Sequence, residues 1–246
     1  MTFSSIFSQT VKDLKTNFKP IFWAVFGFIV IPKLVISLIN LIFFGSAIYD
    51  LSVEPFSWSR FSLMLLFGVI SAFLFLFTLS GITKASVKKN KFSLADIKHH
   101  GKKNWLIYLG FILVMAIFLL GLFLLLIIPG IIFMIYWIFG SYVFLDEDKG
   151  ILYSLKKSRQ LVKGNWWKMF GYLILIMIIL FIFAILIGII LALPILFSGN
   201  SIVYIAFDGI SNLIVSLAFY GFLTLFFKNI YLEWKGKSKT DKKKKK

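Results

Sequence analysis

The sequence predicts an all-α polytopic membrane bundle: six transmembrane helices in three hairpins, with amphipathic helices on the cytoplasmic side. Three observations lead there. Of 246 residues, 60% are hydrophobic and only 15% charged, with a mean hydropathy of +0.93, against roughly a quarter charged in soluble domains. Leu, Ile and Phe fill runs of about 20 residues or more without a charge, the length a helix needs to cross about 30 Å of hydrocarbon. The runs are apolar on every side, where a β-barrel strand would alternate. The basic residues behind the net charge of +17 lie almost wholly between these runs and at the two ends.

At the N-terminus, Phe3, Ile6, Phe7, Val11, Leu14 and Phe18 recur at helical spacing, with Lys12, Asp13, Lys15 and Lys19 mainly opposite. This describes an amphipathic helix, residues 3–18, lying on the membrane surface. Span one follows over residues 21–44 and holds Pro32 and Lys33 near its middle. It is too long for a signal-peptide core and lacks a small-residue cleavage site, so it is expected to stay in place. The connection 45–60 sets Asp50 and Glu54 against Arg60, and span two covers residues 61–82. The next connection is basic (Lys84, Lys88, Lys89, Lys91, Lys98, Lys102, Lys103), with Phe92, Leu94 and Ile97 as a short apolar stripe.

Span three, residues 105–128, runs into Pro129 and Gly130, and span four covers residues 131–145. Pro at the second and Gly at the third position suit a tight type II turn. One unbroken helix through Pro129 would be about twice the bilayer thickness. About 15 residues reach only some 22 Å, so the turn is expected below the outer surface. Beyond it, Ile151, Leu155, Ser158 and Val162 share one face of a second surface helix among Lys149, Lys156, Lys157, Arg159 and Lys163. Span five, residues 166–192, is stopped by Pro194; residues 198–201 form a turn; span six covers 202–227. Residues 1–234 form one membrane domain, and 235–246 read as a disordered polybasic tail. Basic residues crowd the N-terminus and the second, fourth and final connections, which puts both termini in the cytoplasm by the positive-inside rule.

A repeat supports this order. Ser93-Leu94 through Asn104-Trp105 to Gly110 matches Ser154-Leu155 through Asn165-Trp166 to Gly171, and Asn17-Phe18 is a degraded third copy. Asn104 and Asn165 suit helix caps, and Trp105, Trp166 and Trp167 suit the membrane interface. The stretch around Pro129-Gly130, the Leu145 to Gly150 exit, the Ser154 to Leu161 surface helix and Gly164-Asn165-Trp166 resembles a bacterial family of six-helix membrane domains. Its members stand alone or are fused to glycerophosphoryl diester phosphodiesterases, and its relatives are uncharacterised. The resemblance implies a multi-pass protein of the bacterial plasma membrane. It does not carry the phosphodiesterase activity, because the chain has neither room nor acidic ligands for that soluble barrel.

Lys33 and Asp208 are the two charges inside apolar spans. Each costs at least about 2.5–3.5 kcal/mol on insertion scales, which marks them as functional candidates. Both fall in the outer half at similar depth, so they are expected either to pair within the bundle or to reach separately for an interface. Asp146, Glu147 and Asp148, with His99 or His100, are the residue types of a cation site. Adjacent acids cannot all converge on one ion, and the reading is that they solvate the end of span four and favour the next helix through its dipole; no metal is assigned. Lys242, Lys243, Lys244, Lys245 and Lys246 are expected to meet anionic lipid headgroups, since no nucleic-acid-binding motif accompanies them. Gly110, Gly121, Gly171, Gly188, Gly209 and Gly221 are candidates for close helix packing. There are no cysteines, and no hydrolytic triad, phosphate loop or dinucleotide fingerprint occurs. No catalytic residue and no cofactor is assigned. The expected role is a non-enzymatic scaffold or accessory protein organising lipids or a partner, the alternative a small transporter or lipid- or protein-inserting channel using Lys33 and Asp208.

Overall fold

The computed structural model describes residues 2–44, 58–198 and 201–244. They fold as an all-helical bundle in which six helices are long and apolar enough to cross a membrane: Phe3–Ile39, Phe61–Lys88, Leu94–Leu125, Ile127–Glu147, Trp166–Leu191 and Ile205–Ser238. The connection carrying Asp50 and Glu54, residues 199–200 of the last turn, and Lys245 and Lys246 lie outside the described residues.

The first helix is continuous where a surface helix and a span are predicted. Helix α1 (Phe3–Val25) runs through a π-helical segment, Phe26–Val30, into α2 (Ile31–Phe44), with one kink at Asn17. Ile6, Thr10, Asp13, Asn17 and Ile21 are buried and share its inner face. They pack on protein, with Phe3 5.7 Å from Phe226 and Phe7 5.2 Å from Phe222 between ring centroids. The inner face of the amphipathic segment therefore packs on protein. It carries Thr10, Asp13 and Asn17, which need hydrogen-bond partners that lipid tails lack.

At the kink Asn17 has left helical geometry (φ −109°, ψ 15°). Its side-chain amide donates to the carbonyls of Asp13 and Asn90, at 3.0 and 2.9 Å, and its oxygen accepts the Phe92 N–H at 3.0 Å. One side chain thus ties the bend of the first helix to the turn between the second and third.

The chain closes on itself. Helix α9 (Ser201–Ser216), a second π-helical segment (Leu217–Leu223) and α10 (Thr224–Lys244) run antiparallel to the first helix along most of its length. Gly221 faces Leu14 and Ile21, and Gly209 faces Leu34. Helices α3 (Trp58–Lys88) and α4 (Leu94–Leu125) form the tightest antiparallel pair. A Cβ on Gly81 would lie 2.5 Å from the Ile97 carbonyl oxygen, and one on Gly101 2.8 Å from that of Phe77. Spans three and four, and five and six, pair as predicted, but α2 touches α3 only lightly. The strongest pairings are second with third and first with last, so the hairpins are packed tightly against one another.

The reversal after α4 occurs at Leu126, whose backbone is extended (φ −158°, ψ 131°), and α5 (Ile127–Tyr136) starts at once. Pro129 and Gly130 therefore do not make a type II turn. Pro129 sits in the first turn of α5, where a missing N–H costs nothing because those amides have no intrahelical acceptor. Gly130 lies against the Phe123 ring, where a Cβ would approach to 2.6 Å. Span four then breaks at 137–139 before α6 (Gly140–Glu147). Ser158 of α7 (Ile151–Val162) mends the break: its hydroxyl accepts the Phe139 N–H at 3.1 Å and donates to the Tyr136 carbonyl at 2.7 Å. The buried face of α7 holds Ser154, Leu155, Ser158, Leu161 and Val162, close to the predicted stripe.

Helix α8 (Trp166–Ser198) passes through Pro194. A proline removes one backbone bond, a loss that helices of this kind absorb, so the helix continues past Pro194 to Ser198 although the apolar span ends at Leu191. Helix α10 reaches Lys244, so residues 235–244 are helical where a disordered tail is predicted.

Candidate functional site

Charged side chains gather at two levels of the bundle. The first level lies at the end where both the beginning of α1 and the end of α10 sit, here the basic face. Asp13 and Lys228 form a buried ion pair at 2.6 Å, with side chains 12% and 4% exposed. Gln9 donates to Asp13 at 2.7 Å, and Asn229 donates to Thr10 at 3.2 Å. The residues after span four form a hub. Asp146 accepts from the Tyr231 hydroxyl at 2.8 Å and pairs with Lys235 at 2.5 Å and Lys88 at 3.3 Å. Glu147 takes Lys235 at 3.2 Å and the Tyr153 hydroxyl at 2.7 Å. Asp148 pairs with Lys84, which also donates to Asn104 at 3.1 Å.

This assignment differs from the predicted one. The three acids do not merely solvate a helix end; they bind α3, α10 and α6 to one another. They pair with lysines rather than with His99 or His100, and among the described residues no group of three His, Cys, Asp or Glu could hold a metal ion. Every acidic residue whose side chain is described makes an ion pair with a lysine; the remainder are Asp96 with Lys89, Asp208 with Lys33 and Glu233 with Lys237. Lys84 and Lys228 carry no distinguishing mark in the sequence, because each stands at the end of an apolar run, where a snorkelling lysine is unremarkable. The available signal was scarcity: ten acids face 27 bases in this chain, so each acid marks a lysine that must come to it.

The second level is in the opposite half. Twenty residues separate Asp13 from Lys33 and Lys228 from Asp208, roughly 30 Å of helix at about 1.5 Å per residue. There the Lys33 ammonium lies 4.0 Å from the Asp208 carboxylate and donates to the Asn212 carbonyl oxygen at 2.5 Å. The structure thus brings the two intramembrane charges together, and adds Asn212, whose amide is held by the Asp208 carbonyl at 2.7 Å. The Lys33 side chain stays 50% exposed. It lines a cavity of about 430 Å³ between the first and second spans, beside Pro32, Ser37, Gly68 and Ser71. A π-helical segment ends three residues before Lys33; such segments recur at functional sites because they widen the helix locally.

The predicted interfacial residues divide. Trp105 meets Phe73 edge-on at 4.7 Å, and the Trp166 indole N–H donates to the Ile132 carbonyl at 3.3 Å, so both hold helices together. Trp167 is 77% exposed. Asn165 occupies the capping position of α8, its carbonyl accepting the Met169 N–H at 2.9 Å. Asn104 does not cap. It lies within α4, donating to the His100 carbonyl at 2.6 Å and accepting from Lys84. Lys242, Lys243 and Lys244 belong to α10, but their side chains are outside the described residues, as are Lys245 and Lys246 entirely.

No curated protein and no solved structure matches this chain. A family of proteins of unknown function, Domain of unknown function (DUF7847), matches residues 59–230. That stretch takes in α3 to α9, the second π-helical segment, the Asp146 to Asp148 hub and Asp208 with Asn212, while Asp13, Lys33 and Lys235 fall outside it. This multi-pass helical membrane protein belongs to the DUF7847 family.

Proposed function

We propose that this chain is a non-enzymatic protein of the bacterial plasma membrane, with both termini cytoplasmic, that moves or holds a polar group in the outer half of the bilayer. Lys33 and Asp208 are its working charges. The observation that carries this reading is the pair itself: a 4.0 Å contact, bridged by Asn212, with the ammonium half exposed on the wall of an open cavity. An intramembrane pair serving structure alone gains most from close contact and burial. A loose pair suits exchange for a zwitterion, whose phosphate or carboxylate would take Lys33 and whose ammonium would take Asp208. A small transporter or lipid-handling channel is thereby favoured over a passive scaffold.

The test is reconstitution into liposomes with two probes, an acyl-labelled phosphatidylethanolamine followed by quenching of the outer leaflet and a mixture of radiolabelled amino acids. One probe is expected to cross, and Lys33→Ala and Asp208→Ala are expected to slow it by at least about ten-fold. If neither probe crosses, or the variants match the parent, the reading is wrong. The scaffold role is the second reading, favoured by the ion-paired basic face, where Asp13, Lys228 and the Asp146 hub join four helices.

A further inference from the structure

A second cavity, of about 610 Å³, lies at the basic face between α4 and the corner joining α6 to α7. Three lysines line it, Lys84, Lys103 and Lys149, against the single carboxylate of Asp148. The neighbouring acids are already engaged, Asp146 with Lys88 and Lys235 and Glu147 with Lys235 and Tyr153. The lining is therefore cationic by two charges, in a wall that a membrane protein would otherwise fill with apolar groups.

Its construction is specific. Lys84 is only 6% exposed, and a buried ammonium is costly unless each N–H finds an acceptor. Two do, through Asn104 and Asp148. The third has no acceptor among the described residues. Asp148 reaches Lys84 from a left-handed backbone (φ 51°, ψ 35°), the one non-glycine residue with positive φ among those described. Strain of this kind persists where surrounding contacts enforce it, and it gathers at ligand sites. Gly150 and Ile151, also in the lining, open α7, and no side chain caps that helix, so its first amides point outward with the positive end of the dipole.

The apolar part of the lining indicates where a ligand continues. Ile107 belongs to the cavity and is 62% exposed, next to Leu106, also 62% exposed, on the surface of a membrane-crossing helix. From Lys103 to Ile107 one turn of α4 thus passes from ammonium to hydrocarbon, the profile of a headgroup and its acyl chain.

We infer that the Lys84, Lys103 and Lys149 cavity binds a phosphate group, that of an anionic phospholipid lodged at the interface with its chains along α4. The ammonium of Lys84, held in place by Asn104 and Asp148, contacts the phosphate through its remaining N–H; Lys103 and Lys149 close over it; the uncapped amides of α7 meet its far oxygens. The site is independent of the Lys33 and Asp208 pair, which lies in the other half of the bilayer.

Native mass spectrometry of the purified full chain in detergent tests this with dihexanoylphosphatidic acid, inorganic phosphate and neutral dihexanoylglycerol. Lys103 and Lys149 are exposed, so the double variant Lys103→Gln with Lys149→Gln keeps the fold. Phosphatidic acid is expected to bind the parent chain and to bind the double variant at least about ten-fold more weakly, as two interfacial lysines warrant. Displacement of the lipid only by a large excess of inorganic phosphate identifies the lipid as the source of the phosphate. Displacement at matched concentration supports the same site with a soluble phosphate as its ligand. Equal binding by parent and double variant, or binding of the neutral diacylglycerol as tight as that of phosphatidic acid, overturns the assignment.

Discussion

Asp13 near the start of the first helix meets Lys228 of the last at 2.6 Å, both buried, while twenty residues further along the same two helices the signs exchange and Lys33 meets Asp208. An antiparallel pair that carries acid and base at one level and base and acid at the other is fixed in register. A slip of one helical turn would separate both pairs at once.

The buried member of this arrangement sets the first prediction. Removing one partner leaves an uncompensated buried charge, which costs about 3–5 kcal/mol. Asp13→Ala and Lys228→Ala are each expected to lower unfolding stability in detergent by about that amount. Replacing both with apolar residues of similar volume, Asp13→Leu with Lys228→Met, is expected to recover most of it. Single variants that melt with the parent would show that the pair contributes nothing.

The exposed pair behaves differently. Lys33 and Asp208 are partly solvated, so their contact is worth less than the buried one. Lys33→Ala and Asp208→Ala should each destabilise modestly, by about 1 kcal/mol or less, and the double variant should be no worse than the poorer single one. Strictly additive losses, measured by a double-mutant cycle, would count against pairing.

Helix spacing gives the third prediction. Gly81 sits under the backbone carbonyl of Ile97, which cannot swing aside, whereas nothing lies within 4 Å of a Cβ added to Gly110. Gly81→Ala is expected to force α3 from α4 and cost about 1–3 kcal/mol. Gly110→Ala should be neutral or stabilise by up to about 1 kcal/mol through helix propensity. Equal effects from the two substitutions, in thermal denaturation, would contradict the packing described.

These glycines also mark what could be read from the sequence. The six apolar runs, the face of α7 and the isolation of Lys33 and Asp208 within apolar runs are legible, because length, periodicity and isolated charge are local signals; whether those two charges meet is not. Of the six glycines that looked suited to packing, Gly209 and Gly221 make close contacts, while Gly110, Gly121, Gly171 and Gly188 do not; Gly81, Gly101, Gly130 and Gly140 carry close approaches instead. A glycine in an apolar run says that a neighbour can come near, not that one does. Partner choice was hidden for the same reason. Spans adjacent in sequence are expected to pair, but the first helix also pairs with the last, where Asp13 and Lys33 find complementary charges and Phe3 and Phe7 pack on Phe226 and Phe222. Pro129 misled because proline suits a turn and a first helical turn equally, and only the extended Leu126 separates the two.

The Asp146 hub gives a fourth prediction. Lys235 is held by Asp146 and Glu147, and Tyr231 by Asp146, which fixes the start of the basic C-terminal segment against α6. Asp146→Ala is expected to release it. Trypsin should then cut after Lys235 at least several-fold faster than in the parent chain, with cleavage elsewhere little changed. An unchanged cleavage rate at Lys235 would mean that the hub does not restrain this segment.

The most direct test of the account concerns Lys33. The chain has no cysteine, so Lys33→Cys supplies a single thiol on the cavity wall. Reconstituted in sealed liposomes of known orientation, it is expected to react with a membrane-impermeant thiol reagent added on the side remote from the basic face. It should not react when the reagent is on the other side, and a matching cysteine at Ile117, 69% exposed on the apolar surface of α4, should react from neither. Lys33→Cys that remains unlabelled from both sides until detergent is added would mean that water does not reach the pair, and the intramembrane polar site would have to be abandoned.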